Sequence, residues 1–110
     1  HCVSTYPAPV LELNLKVIKN FIERYDCLIG YSGHEYEVEP TVLAVVLGAS
    51  VIERHITLDH GMWGTDQKSS LELDGMQKLI RRIHLVKSIL GDGDKKLSPS
   101  EEIVKARLRG

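Results

Sequence analysis

With 110 residues, a net charge of -1 at neutral pH and 43% hydrophobic residues, the chain reads as one globular domain or part of one. That balance gives no basic footprint for nucleic acid and no polybasic patch for a membrane surface, and no apolar run is long enough to span a bilayer. The opening "HCVSTYP" has neither the basic start of a signal peptide nor an initiator Met, so a piece of a longer cytoplasmic protein is expected.

In chain order, "HCVSTY" is β-prone and is closed by Pro7 and Pro9. "LELNLKVIKNFIERY" places Leu11, Leu15, Ile18 and Ile22 at helical spacing, with Lys16, Lys19 and Glu23 on the other face. "CLIGYSG" is a second strand, ending at a glycine-flanked turn. "PTVLAVVLGA" starts with Pro40 in a first-turn position and stops at Gly48, which predicts a short helix, apolar nearly all round and suited to packing on a sheet. "SVIER" is a third strand. Asp74 is placed to cap a helix whose Met76, Leu79, Ile80, Ile83, Val86 and Ile89 form a broad apolar stripe, ended by Gly91 and Gly93. A further helix start is expected at Ser98 or Ser100 before Glu101 and Glu102.

Strand and helix alternate three times, the grammar of an α/β fold with a parallel sheet. Three such units cannot close a barrel, which takes about 250 residues. Cys2 and Cys27 each open an apolar segment and lack CxxC spacing, so both are expected as reduced thiols in the core or in strands.

In parallel α/β sheets the loops after the strands' carboxyl ends build the site. Those positions here hold Ser4, Thr5 and Tyr6; then Tyr31, Ser32, Gly33, His34 and Glu35; then Glu53, Arg54, His55, Thr57, Asp59, Trp63 and Asp66. His34 and His55 stand one past each of two successive strands. Neighbouring strands lie about 4.8 Å apart, so the two rings can converge on one divalent cation; two lone hydrogen-bonded histidines are the alternative. Glu53 and Arg54 must face opposite ways, and Arg54 could serve a structural ion pair. Trp63 is either a lid or a loop anchor, and Asp66 either a turn residue or a contact for substrate hydroxyls. His60 and His84 are expected to be structural. His1 could face either end of the sheet.

"HCVSTYP", "IGYSGHE", "GASVIERHITLD" and "MWGTDQ", in this order and spacing, resemble the sialic acid synthase family, which includes N-acetylneuraminate, legionaminate and pseudaminate synthases of bacteria. The resemblance runs from His1 to about Leu90. It implies that residues 1–95 are the last three βα units of a (β/α)8 TIM barrel, and that residues 96–110 lead toward a small antifreeze-like C-terminal domain. It implies a transferase of carbohydrate biosynthesis. Such an enzyme condenses phosphoenolpyruvate with an N-acyl hexose such as N-acetylmannosamine, giving a nine-carbon 2-keto sugar acid and phosphate. His34 and His55 match the family's manganese ligands, where the ion acts as a Lewis acid on the sugar aldehyde. Ser32 matches a residue near phosphoenolpyruvate, Ser4 and Tyr6 a site-lining pair (relatives carry Asn in place of Ser4), and Asp66 an acid that contacts sugar hydroxyls.

The family's phosphate-gripping lysines lie on earlier strands, so the 110-residue chain alone is expected to have little activity. Its open sheet edges and uncovered apolar face predict association with a second copy or with other parts of the protein. Two rival readings remain: a non-catalytic α/β module that binds a protein partner through an exposed sheet edge, and a metal-dependent aldolase that cleaves the same kind of sugar acid.

Overall fold

The computed structural model describes residues 1–61, 63–64 and 67–110. In order it contains a 3-10 turn (Val10–Glu12), α1 (Lys16–Arg24), β1 (Gly30–Gly33), α2 (Glu39–Val46), β2 (Val51–Arg54), a second 3-10 turn (Gln67–Ser69), α3 (Leu73–Leu90) and α4 (Pro99–Leu108). β1 and β2 pair in parallel, with Gly30 opposite Val51 and Gly33 opposite Arg54. The first residues flank β1 on its other edge. Cys2 makes an isolated parallel bridge to Ser32, and the Ser32 amide donates to the His1 carbonyl at 2.9 Å. The α/β class and the parallel arrangement are therefore those expected.

Side chains alternate along the strands and divide the sheet into two faces. Tyr31 and Ile52 point to the helices. There Ile18, Ile29, Tyr31, Ala44 and Ala49 form one buried cluster, with Leu15, Phe21, Leu47 and Ile52 packed against it. Burial of a side chain such as Ile18, fully enclosed on α1, contributes about 1.5–3 kcal/mol. A second cluster, Val38, Leu71 and Leu79, joins α2 to α3 with help from Val42, Met76 and Ile83. The opposite face, carrying Val51 and Glu53, is exposed.

Several elements are shorter than the pattern predicts, each for a physical reason. The long helix expected from Leu11 is broken because Asn14 adopts a left-handed conformation (φ 47°), which Asn tolerates better than most residues. Leu11 is therefore 97% exposed rather than on a buried stripe. The expected first strand amounts to the single bridge at Cys2, because the chain bends at Thr5–Pro7 and Pro7 has no N–H for a ladder. The second strand begins at Gly30, not at Cys27. Both cysteines are free thiols as expected, but both are exposed and neither is in the core.

α2 does carry Pro in its first turn, and Gly48 follows it at φ 111°. A β-carbon on Gly48 would stand 2.6 Å from Ile22 Cδ1, so glycine allows both the turn and the close approach to α1. The N-cap of α3 is Glu72 rather than Asp74, which lies within the first turn. The Glu72 carboxylate does not cap; it pairs with His60 Nδ1 at 2.8 Å. Ser98 caps α4 in a reciprocal capping box with Glu101, as its sequence suggests. Every residue from 99 to 110 is exposed, so α4 packs on nothing within the chain. Among the described residues no helix is long and apolar enough to cross a membrane.

Candidate active site at the carboxyl edge

The β1–β2 ladder ends at the Gly33–Arg54 pair, and the next residue on each strand is a histidine. Alternation puts His34 on the face of Ser32, and His55 on the face of Glu53. The two rings meet edge to face with centroids 5.3 Å apart. Tyr6, brought over them by the bend that ends the first segment, lies 4.4 Å from the His34 ring and 6.1 Å from that of His55.

His34 is buried and held at both ends. Its carbonyl accepts from the Ala8 amide at 2.9 Å. Its Nδ1 lies 2.9 Å from the Val3 carbonyl, which can only accept. The neutral ring therefore carries its proton on Nδ1 and keeps the Nε2 lone pair for another partner. An imidazole fixed this way by a backbone carbonyl is the usual arrangement of a metal-ligating histidine. His55 is pinned through its backbone: the Leu71 amide donates to its carbonyl at 2.8 Å.

The donor set fits a divalent cation. Two imidazoles sharing an ion at about 2.1 Å place their centroids roughly 4.5–5.5 Å apart, and the observed separation lies in that range. Among the described residues no third His, Cys, Asp or Glu completes a metal-binding group.

The remaining polar residues fall into place around this pair. Ser32 donates to Glu53 Oε1 at 2.8 Å. Ser4 Oγ lies 3.7 Å from Cys2 Sγ, which is in turn 3.5 Å from His34 Nδ1. Asp66 lies outside the described residues. Trp63 is fully exposed, with its carbonyl accepting from Gln67 Nε2 at 3.2 Å. His60 acts structurally: besides Glu72, its Nε2 reaches the Ser70 carbonyl at 2.5 Å. His1 faces the helices, with Nε2 2.7 Å from the Leu13 carbonyl and its ring against Phe21 and Tyr31.

Behind the histidines, on the helix side, sits a buried ionic cluster. Glu35 accepts from Tyr31 Oη at 2.7 Å, from Thr41 Oγ1 at 2.7 Å and from Arg54 at 3.3 Å. Arg54 also donates to the carbonyls of Glu35, Glu37 and Ser69. Both charged side chains are almost fully enclosed. Burial lowers the Arg54 pKa from its ordinary value, while the Glu35 carboxylate works against that. Burial also raises the Tyr31 phenol far above its usual range, helped by its hydrogen bond to Glu35. The structural ion pair considered for Arg54 is thus present. Its partner and the Ser32–Glu53 bond escaped the sequence pattern; period-two alternation could have put Glu53 beside His55, but nothing local pairs Arg54 with Glu35.

A parallel α/β chain with paired imidazoles at the carboxyl edge of its sheet has the layout of an α/β enzyme site. The chain belongs to the NeuB family, whose profile matches residues 1–95. It is 42% identical over 102 residues to the N,N'-diacetyllegionaminic acid synthase of Campylobacter jejuni, covering 93% of this chain and 30% of that protein. It is 43% identical over 108 residues to the human N-acetylneuraminate-9-phosphate synthase, covering 97% and 30%. Among solved structures, the N-acetylneuraminic acid synthetase of Leptospira borgpetersenii, in complex with citrate, superposes with a TM-score of 0.81 at 37% identity, over 97% of this chain and 38% of that one. The chain spans about a third of the length of the curated relatives it matches. The family thus reaches beyond bacteria to the human enzyme.

Proposed function

We propose that the chain supplies the metal-binding edge of a sugar acid synthase that condenses phosphoenolpyruvate with an N-acyl hexose, releasing phosphate. In this reading residues 1–95 are three βα units of a (β/α)8 barrel, and the exposed sheet face looks into its interior. α4, which packs on nothing here, leads toward a small C-terminal antifreeze-like domain. The observation that carries the proposal is the facing pair His34 and His55, 5.3 Å apart, with the His34 tautomer set by the Val3 carbonyl.

Those two side chains would hold the cation, Mn²⁺ in this reading. Bound there, it would supply Lewis-acid polarisation of the sugar's aldehyde oxygen. The chain's own groups do the positioning. Val3 keeps His34 Nε2 directed away from the backbone. The Tyr6 ring covers both imidazoles and narrows water access to them. Ser32 lies on the same face, and its hydroxyl would turn from Glu53 Oε1 to donate to a phosphoenolpyruvate oxygen. Ser4, beside Cys2, would line the substrate site, and Asp66 would accept from sugar hydroxyls. The open face and the exposed Val51 and Ile56 support burial against other barrel strands or a second copy. The two free thiols accord with a cytoplasmic setting. The isolated 110 residues would turn over little or no substrate.

The deciding experiment follows phosphate release by the full-length protein with phosphoenolpyruvate and a panel of N-acyl hexoses, with and without Mn²⁺. Sugar- and Mn²⁺-dependent release is expected. Cleavage of a sugar acid without phosphate would instead select an aldolase. No turnover and no metal binding would select a partner-binding module.

A further inference from the structure

We infer that the buried Glu35–Arg54 pair is a positioning device that sets the spacing of His34 and His55 for a shared cation; this rests on the two-histidine reading above. The sheet itself does not set that spacing, because the ladder ends one residue earlier, at Gly33–Arg54. Beyond that rung no ladder bond is left to join the strand ends: the His34 carbonyl accepts from the Ala8 amide and the His55 carbonyl from the Leu71 amide. Glu35 directly follows His34 and Arg54 directly precedes His55, and the two side chains meet behind the imidazoles. The link is multiple. Arg54 Nη2 donates to the Glu35 carbonyl at 2.6 Å and Nη1 to Glu35 Oε1 at 3.3 Å, so one guanidinium holds both the backbone and the side chain of the residue after His34. It also reaches the Glu37 and Ser69 carbonyls, which flank the path to α2 and the approach to Leu71, whose amide holds the His55 carbonyl.

The sequence makes room for the device. A β-carbon on Gly33 would stand 2.8 Å from Arg54 Cδ and 2.9 Å from Glu35 Oε2, so only glycine lets the pair close across the last rung. Tyr31 satisfies the other carboxylate oxygen, Oε2, and Thr41 donates to the Oε1 that Arg54 holds, tying the clamp to β1 and α2. A planar guanidinium spans these acceptors in a way a lysine ammonium cannot. Buried ion pairs commonly contribute little net stability, which makes a geometric role the stronger explanation for retaining one beside a metal site.

The test measures Mn²⁺ affinity of the full-length protein by calorimetric titration, with the Co²⁺ ligand-field spectrum as a report of coordination and the thermal midpoint as a report of folding. Arg54→Lys keeps the charge but cannot span the carbonyls. The double variant Glu35→Leu/Arg54→Met removes both charges at similar volume. Each is expected to stay folded, to bind Mn²⁺ about 10–100-fold more weakly, and to show an altered Co²⁺ spectrum. Should the double variant fail to fold, Arg54→Lys decides. His34→Ala is the control. If it abolishes binding while the Arg54 variants bind like the parent, the positioning role is wrong and the site reading stands. If His34→Ala itself leaves affinity unchanged, the site reading fails and the positioning role with it.

Discussion

Gly33 and Arg54 are partners in the last rung of the β1–β2 ladder, and the missing β-carbon of the first is filled by the side-chain stem of the second. Gly33→Ala would push a methyl against both Arg54 and Glu35, in a site where neither can move without breaking buried hydrogen bonds. Overpacking of this kind costs about 1–3 kcal/mol. Urea denaturation of the variant should show a lower midpoint at an unchanged slope; an unchanged midpoint would mean that the edge of the sheet yields freely.

Removing one charge of the buried pair should hurt far more than removing both. Arg54→Met leaves the enclosed Glu35 carboxylate without its counter-ion, at a cost of about 3–5 kcal/mol. Adding Glu35→Leu should recover most of that loss. A double-mutant cycle on unfolding free energies measures the coupling, and simple additivity would show that the two groups act independently.

Tyr31 should resist ionisation in an alkaline titration. Burial and the Glu35 carboxylate both favour its neutral phenol. Because the folded-state pKa is raised, its contribution is fully present below the ordinary value of 10.0 and is lost as pH climbs from there toward the folded pKa. By ultraviolet difference absorbance, Tyr31 should ionise only with unfolding, as a late component. Tyr31→Phe should remove that late component and cost about 1–2 kcal/mol through the orphaned carboxylate oxygen.

Glu39 at the start of α2 pairs with Arg82 of α3, and that hydrogen bond holds its carboxyl below the ordinary value of 4.5. A lowered folded-state pKa means stability that is present above 4.5 and disappears as pH falls through the folded pKa. Both side chains are largely solvated, so the pair is worth about 0.2–1 kcal/mol. Glu39→Gln should lower the thermal midpoint slightly at neutral pH and not at all in strong acid. A difference that persists in acid would assign the effect to helix packing instead.

In the proposed function Tyr6 acts through its ring. Tyr6→Phe should leave the proposed phosphate-releasing turnover of the full-length protein nearly intact, because the tilted ring contact with His34 is kept. Tyr6→Ala should raise the substrate KM several-fold by opening the imidazoles to water. Steady-state phosphate release distinguishes the two, and equal losses would move the role to the hydroxyl.

Local chemistry determined much of this protein. Apolar periodicity marked α3, Pro40 and Gly48 bounded α2, and a serine at 98 or 100 before Glu101 and Glu102 marked the start of the exposed α4. The position of His34 and His55, one past successive parallel strands, allowed their rings to converge, and the ring centroids stand 5.3 Å apart. Other features were not carried by the pattern. Asn14 broke the first helix, where the apolar spacing ran straight through. The first segment gave up all but one bridge to bend Tyr6 over the histidines. Arg54 found Glu35 across nineteen residues, an attraction that acquires its partner only when β1 and β2 have been brought side by side. Periodicity and capping are encoded within a turn or two of backbone, whereas the burial that makes an ion pair or a tautomer matter exists only after the layers have packed.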